Sequence, residues 1–436
     1  MYRPAKLDEE SRRILTTLQL ARLALDEADE YKQFHSQSLT EAGGEGSSSR
    51  DTQEAIGAIR KSLAVALQDE GEDKFSAQEY ASIVDFEWSS EQGRTHPDEN
   101  RWANVWPWNH SLLPPPYLNA STLPCLPSSL LPLPTSQPYI AAQAPLPNTF
   151  PAFYHHILST RATLLVNLTP EFDASRGFKM RKGHRYWPKA KGKPMDVGQG
   201  WSVELMEESK DTRLLDVPVN GQASSGRRFD PTRDWIIVQR RLKITPPAGW
   251  VEGPAYDFGA VTQQGETPSK PATSPAIPRI ITMLHVEDWS DGGDAAADNF
   301  ARLVELVAAH QRQEQGDVQP PQSPRQQTAP RPPIWIHCSA GIGRTGTLIG
   351  GLMARDLLLP LQQQRVSGPA KGDTATQATN GKPHAQGQML ATMPALALTL
   401  RIWSHMRTRR AGLVTTAEQA RMIMSEIERI RGAAAA

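Results

Sequence analysis

The chain has 436 residues, long enough for two or three average domains or for one large catalytic domain with insertions. Lys plus Arg and Asp plus Glu balance at 47 each, so no global field recruits nucleic acid or a membrane surface, and partner choice falls to local patches. The two cysteines, Cys125 and Cys338, are too few for a disulfide framework, Met1 to Glu10 lacks the apolar core of a signal peptide, and no run approaches the roughly 18 apolar residues of a membrane span; a soluble protein of the cytoplasm or nucleus is expected.

In chain order, residues 1–74 read as a helical lead-in: Ile14, Leu18 and Leu25 keep one face, Ile56, Ile59, Leu63 and Leu67 another, with a flexible break at Gly43 to Ser49. Ser76 to Glu79 has the form of a capping box that starts a further short helix. Strand signals follow at Ala162–Leu168, Trp235–Ile244, Ile280–Val286 and Ile334–His337. Helical patterns cover Phe300 to Val307, Leu348–Leu359, Leu396–Met406 and Thr416–Ile430. This alternation predicts an α/β or α+β layered domain over 75–433. Three stretches rich in Pro, Gln, Ser, Thr and Gly, near 246–278, 316–333 and 362–387, are expected to be disordered surface insertions.

The run His337-Cys338-Ser339-Ala340-Gly341-Ile342-Gly343-Arg344-Thr345-Gly346 carries the chemistry. It lies between the buried strand Ile334-Trp335-Ile336 and an apolar helix opening at Thr347-Leu348-Ile349. The loop therefore sits at a helix N-terminus, where free amides and the macrodipole favour an anion. The same field lowers a thiol pKa from about 8.5, so Cys338 is expected to be a thiolate at neutral pH. Arg344 supplies a planar fork for two phosphate oxygens, and the Thr345 hydroxyl is suited to stabilising the sulfur when it leaves. The amides of Ser339, Ala340, Gly341, Ile342 and Gly343 complete a phosphate cradle.

This run resembles the signature loop HCSAGxGRTG of the phosphotyrosine-specific, non-receptor type protein tyrosine phosphatases. The resemblance implies a central mixed twisted sheet flanked by helices, with the Cys-x5-Arg loop between a strand and a helix. Trp289-Ser290-Asp291-Gly292-Gly293 resembles the family's acid loop WPDFG, which makes Asp291 the general acid; Ser290 stands for the stiffening Pro. Asn100-Arg101-Trp102 resembles the loop NRY, so Trp102 is expected to wall the phosphotyrosine slot, with Asn104 where the family usually places an Asp that holds the substrate backbone. Tyr117 to Ser121 and Ala144 to Thr149 resemble YINAS and QGPLPNT, which pack beneath the site.

Val414-Thr415-Thr416-Ala417-Glu418-Gln419 resembles VQTxEQ, giving Gln419 a role in positioning the hydrolytic water and placing Thr415 where the family has another Gln. Glu171 is expected to pair with Arg344, and Lys179 to Pro188 resembles the segment ending in YWP. Seven Lys or Arg fall between Lys179 and Lys193, a solvated loop or a rim that attracts acidic phosphopeptides. Arg407 and Arg410 occupy places where family members carry basic residues. Cys125, flanked by prolines, reads as structural or exposed.

The resemblance thus implies hydrolysis of phosphotyrosine in proteins through a cysteinyl-phosphate, with no metal or organic cofactor. Tyrosine-phosphorylated proteins are the expected partners, and PxxP patterns in the insertions offer sites for polyproline-binding domains. Two other readings stay open: a weakly active or inactive phosphotyrosine-binding pseudophosphatase, and a dual-specificity or phosphoinositide phosphatase.

Overall fold

A computed structural model describes residues 90–124, 137–173, 180–219, 229–230, 234–252, 277–289, 297–316, 331–367, 393, 395–407 and 409–433. The helical readings before residue 90, and Cys125, lie outside the described residues. An eight-stranded mixed sheet runs in the order β1-β2-β10-β3-β9-β8-β7-β6. Its strands are β1 (Ala120–Leu123), β2 (Tyr139–Gln143), β3 (Leu164–Asn167), β6 (Met195–Gly198), β7 (Trp201–Arg213), β8 (Ile236–Thr245), β9 (Arg279–Val286) and β10 (Ile334–Cys338). Two-residue strands β4 (Phe172–Asp173) and β5 (Met180–Arg181) form a separate antiparallel ribbon.

The central strands β2, β10, β3 and β9 are parallel, and the flanking pairs are antiparallel. Parallel strands buried on both faces favour apolar runs, and β10 supplies one in Ile334-Trp335-Ile336 before His337 and Cys338, buried throughout. Its period of two splits the run between layers. Ile334, Ile336 and Cys338 join the cluster containing Phe300, Leu303, Leu348, Ile402 and Ile423. Trp335 faces the other cluster, with Phe153 and Tyr186, and donates its indole N–H to Thr160 Oγ1 at 3.0 Å.

One face is covered by α1 (Phe150–Ser159). The other is covered by α2 (Ala297–Gly316), α3 (Gly343–Ser367), α4 (Ala395–Arg407) and α5 (Ala417–Ala433). The four strands and four helices expected from sequence each coincide with an element, and α3 continues past Leu359 to Ser367, into the stretch expected to be an insertion. Residues Gln362 to Val366 include three Gln and an Arg, all compatible with a helix. Among the described residues, no helix is long and apolar enough to cross a membrane.

Candidate active site

The chain leaves β10 at Cys338, turns through Ser339 to Ile342, and enters α3 at Gly343. Gly341 makes the turn at φ +71°, and a Cβ there would fall on the Ala142 carbonyl of β2. Only glycine fits that approach. The loop is pinned to its surroundings: Ala144 N donates to Ser339 O at 3.1 Å, and Ser339 Oγ donates to Lys182 O at 2.8 Å. From the far side, Val414 N donates to Ile342 O at 3.2 Å. Val414 holds φ +60° to do so, a costly conformation for a β-branched residue.

Cys338 is buried at the floor of this loop. Burial pushes its thiol pKa up, but the Arg344 guanidinium, the Thr345 hydroxyl and the backbone N–H groups of Thr345 and Ile342 outweigh it and hold the thiol below its ordinary value. His337, expected in a supporting role, hydrogen-bonds Tyr186 OH through Nε2 at 2.7 Å and approaches Cys338 O through Nδ1 at 3.2 Å. Burial drives its pKa down to about 3, so the imidazole is neutral beside Cys338.

Arg344 donates to the carbonyl oxygen of Trp289 at 2.6 Å. Trp289 is itself 2% exposed, stacked on Trp235 at 5.1 Å and edge-on to Phe300 at 6.2 Å. The first residue of the expected acid loop is therefore fixed against the arginine. Asp291 lies outside the described residues.

Glu171 requires a correction. Its carboxylate is held by Arg181 and Arg185, each at 3.3 Å, and not by Arg344. The ribbon explains this, because Phe172 pairs with Arg181 in β4–β5 and brings that arginine beside the neighbouring Glu171.

Thr415 and Gln419 do converge on the loop: a Cβ on Gly343 would lie 2.8 Å from Gln419 Nε2 and 2.9 Å from Thr415 Oγ1. Gln419 Oε1 accepts from Thr415 N at 2.8 Å and Thr415 Oγ1 at 3.0 Å. Trp102 is half-buried, with the Lys182 ammonium 5.8 Å from its ring centre. Asn104 is exposed.

The residue that sequence reasoning left without a role is Arg410. It is fully buried and donates to Gly341 O at 2.8 Å, Ala340 O at 3.0 Å and Asn119 Oδ1 at 2.7 Å. Burial lowers its pKa to about 10, which leaves it charged. Asn119 in turn donates to Asn100 Oδ1 at 2.7 Å, so one line of bonds joins the Asn100 loop to the cradle. In sequence Arg407, Arg409 and Arg410 look alike, and only packing separates them.

A cysteine held below its ordinary pKa thus lies in a glycine turn, backed by a buried arginine on each side. The protein-tyrosine phosphatase family model matches residues 96–228 and 262–367, together more than half of the chain. The chain belongs to the protein-tyrosine phosphatase family. It is 26% identical over 278 residues to tyrosine-protein phosphatase 1 of Dictyostelium discoideum, covering 59% of this chain and 40% of that protein. It is 27% identical over 261 residues to the phosphatidylinositol phosphatase PTPRQ of Homo sapiens, covering 58% of this chain and 8% of that protein. The chain therefore spans less than half the length of these curated relatives. A crystal structure of a Trypanosoma brucei protein tyrosine phosphatase aligns over 87% of this chain and 93% of that one, at 19% identity and a TM-score of 0.47.

Proposed function

We propose that this family member hydrolyses phosphotyrosine in proteins through a cysteinyl-phosphate and so opposes tyrosine kinases. The observation that carries the reading is the Cys338 thiol, held below its ordinary pKa by Arg344 and by the amides of Ile342 and Thr345. Cys338 Sγ attacks phosphorus as the bond to the tyrosyl oxygen breaks, and the cradle amides and Arg344 bind the equatorial oxygens. Asp291 gives its proton to the departing phenolate. Water placed by Gln419 then attacks phosphorus, Asp291 takes its proton back, and the S–P bond breaks to release phosphate and the thiolate, which Thr345 stabilises. Substrates are tyrosine-phosphorylated proteins met in the cytoplasm or nucleus, and the chain itself supplies every group in the cycle.

Rapid acid quench of the full chain with a radiolabelled phosphotyrosyl peptide tests this. Protein-bound phosphate should appear within one turnover and be absent from Cys338→Ser. Turnover by Cys338→Ser near the parent rate would end the reading. The name of the human relative makes phosphoinositides the second substrate class; the Trp102 ring beside Lys182 favours an aryl phosphate, which it can stack against.

A further inference from the structure

The sheet ends far from the cradle. Beyond β10 its order runs β3, β9, β8, β7, β6, so β6 stands five strands from the nucleophile, roughly 24 Å at about 4.8 Å per strand. The chain reaches this edge through Lys189-Ala190-Lys191-Gly192-Lys193-Pro194, every residue of which is exposed. The loop is nonetheless anchored. Trp187 and Pro188 are buried before it and Val197 after it, and Gly192 N donates to Leu205 O of β7 at 3.3 Å. Gly192 turns the chain at φ +70°, and a Cβ there would meet nothing within 4 Å. The turn therefore stands clear of the rest of the molecule.

The three lysines recur at every second residue, with only alanine and glycine between them. Carboxylates on the neighbouring strands are engaged elsewhere. On β7, Glu204 pairs with Lys243 and Glu207 with Arg241, each at 3.4 Å, and Glu208 pairs with Arg240 at 2.7 Å and Lys210 at 3.5 Å. On β6, Asp196 Oδ1 accepts from Gly198 N at 2.8 Å. Among the described residues, no carboxylate lies within ion-pair distance of Lys189, Lys191 or Lys193. A chain with no net charge thus collects three positive charges on one exposed loop. Met206, next to the Leu205 contact, is 38% exposed and adds an apolar side chain at the same edge.

The composition of the loop selects its partner. Lysine ammoniums are compact, hydrated point charges without the planar fork that fixes one phosphate or carboxylate in place. Alanine, glycine and proline supply none of the aromatic or arginine anchors on which protein interfaces centre, and lysine is depleted there. Single-stranded nucleic acid is held on aromatic platforms as well as by charge, and this loop has no aromatic residue. A membrane surface bearing anionic lipids requires only closely spaced cations and some apolar contact. We propose that Lys189, Lys191 and Lys193, with Met206 beside them, dock the protein on an anionic lipid surface by this edge of the sheet. The inference stands apart from the chemistry of the cradle, which lies five strands away and outside the contact.

The test is co-sedimentation of the full chain with vesicles, either phosphatidylcholine alone or phosphatidylcholine and phosphatidylserine in equal parts. At about 0.1 M salt the anionic vesicles should bind about 100-fold more tightly, at about fivefold per lysine. Most of that preference should vanish at about 1 M salt, where the screening length falls to about 3 Å. Lys189→Gln, Lys191→Gln and Lys193→Gln together should bring the two vesicles within about threefold of each other. The urea midpoint and the turnover of p-nitrophenyl phosphate should stay at the parent level, which shows that the variant is folded. Arg at the same three positions should keep the preference, since charge rather than geometry carries it. Met206→Ser should weaken binding by about threefold at both salt concentrations.

Equal binding of the two vesicles by the parent, or a preference that survives the triple Gln substitution, would overturn the proposal. So would lysine-dependent binding of polyglutamate or of an oligonucleotide that anionic vesicles fail to displace, which would give the loop to an acidic protein or to nucleic acid.

Discussion

The side-chain carbonyl of Gln419 accepts two hydrogen bonds from one residue, the amide and the hydroxyl of Thr415, at 2.8 and 3.0 Å. With its oxygen so occupied, the amide has one orientation, and Nε2 is turned over Gly343 at the cradle. Thr415→Val removes the hydroxyl bond and keeps the backbone one. Steady-state turnover should fall about two- to tenfold, the worth of one neutral hydrogen bond, while the burst of phenol release stays at its parent rate. Equal loss in burst and steady state would show that this pair does not act on hydrolysis.

Arg344→Lys keeps a charge beside Cys338 but loses the fork that holds the Trp289 carbonyl and that, in the proposed cycle, binds substrate oxygens. A fall in kcat of about 100- to 1000-fold is expected, the scale set by loss of a transition-state donor. The Cys338 thiol pKa, read by the pH dependence of alkylation, should move much less. A variant within tenfold of the parent kcat would show that the fork goes unused.

The lowered pKa of Cys338 ties stability to pH. Below an unfolded thiol value of about 8.5, the unfolded chain binds a proton that the folded chain does not, so folding gains stability as pH rises. The gain is complete above about pH 8.5 and is lost as pH falls through the folded value. The stability of the parent minus that of Cys338→Ser, from urea melts, should therefore climb with pH by at most about 1.4 kcal/mol per unit and flatten above about 8.5. A flat difference would mean that the buried thiol is an ordinary one.

Burial lowers His156 and His405 to about 4 and His337 to about 3. Each is neutral when folded, whereas the unfolded chain takes up protons below about pH 6.5, so stability drops as pH falls from there toward the folded values. The urea midpoint should decline between pH 7 and pH 5, and His156→Gln should shallow that decline. An unchanged slope in the variant would remove His156 from the account.

Arg410→Met should remove the donors to Ala340 O and Gly341 O without opening a large void. Each buried carbonyl left without a donor costs about 1–3 kcal/mol, and activity should fall even where the variant remains folded. Wild-type kcat in folded Arg410→Met would show that the cradle holds its shape without that support.

The parts legible in the sequence were those whose local pattern and tertiary setting agree. Ile334 to Cys338 reads as a strand because every position is buried, and the cradle reads from its ordered glycines, Cys and Arg. Strand β7 was not anticipated, although Trp201, Val203 and Leu205 alternate inward; the following Glu207, Glu208, Lys210 and Asp211 obscure the period. Strands β1 and β2 are short and alanine-bearing, and gain their strand character from neighbours rather than from propensity. Resemblance pairs Glu171 with Arg344, while Arg181 of the ribbon and Arg185 just beyond it hold its carboxylate. Arg410 is legible only as a basic position, and its role is not, since its acceptors are brought to it only by the fold.

Cys338 ends a strand that is laddered on both sides, to β2 from Ile334 through Cys338 and to β3 from Trp335 through His337. Amide protons in such a central strand exchange with solvent only when the whole sheet opens. The strand that ends at Cys338 should therefore share the slowest hydrogen exchange in the molecule, and mild denaturant that abolishes turnover before the sheet melts would act through segments that meet it from outside, such as the turn that carries Gln419.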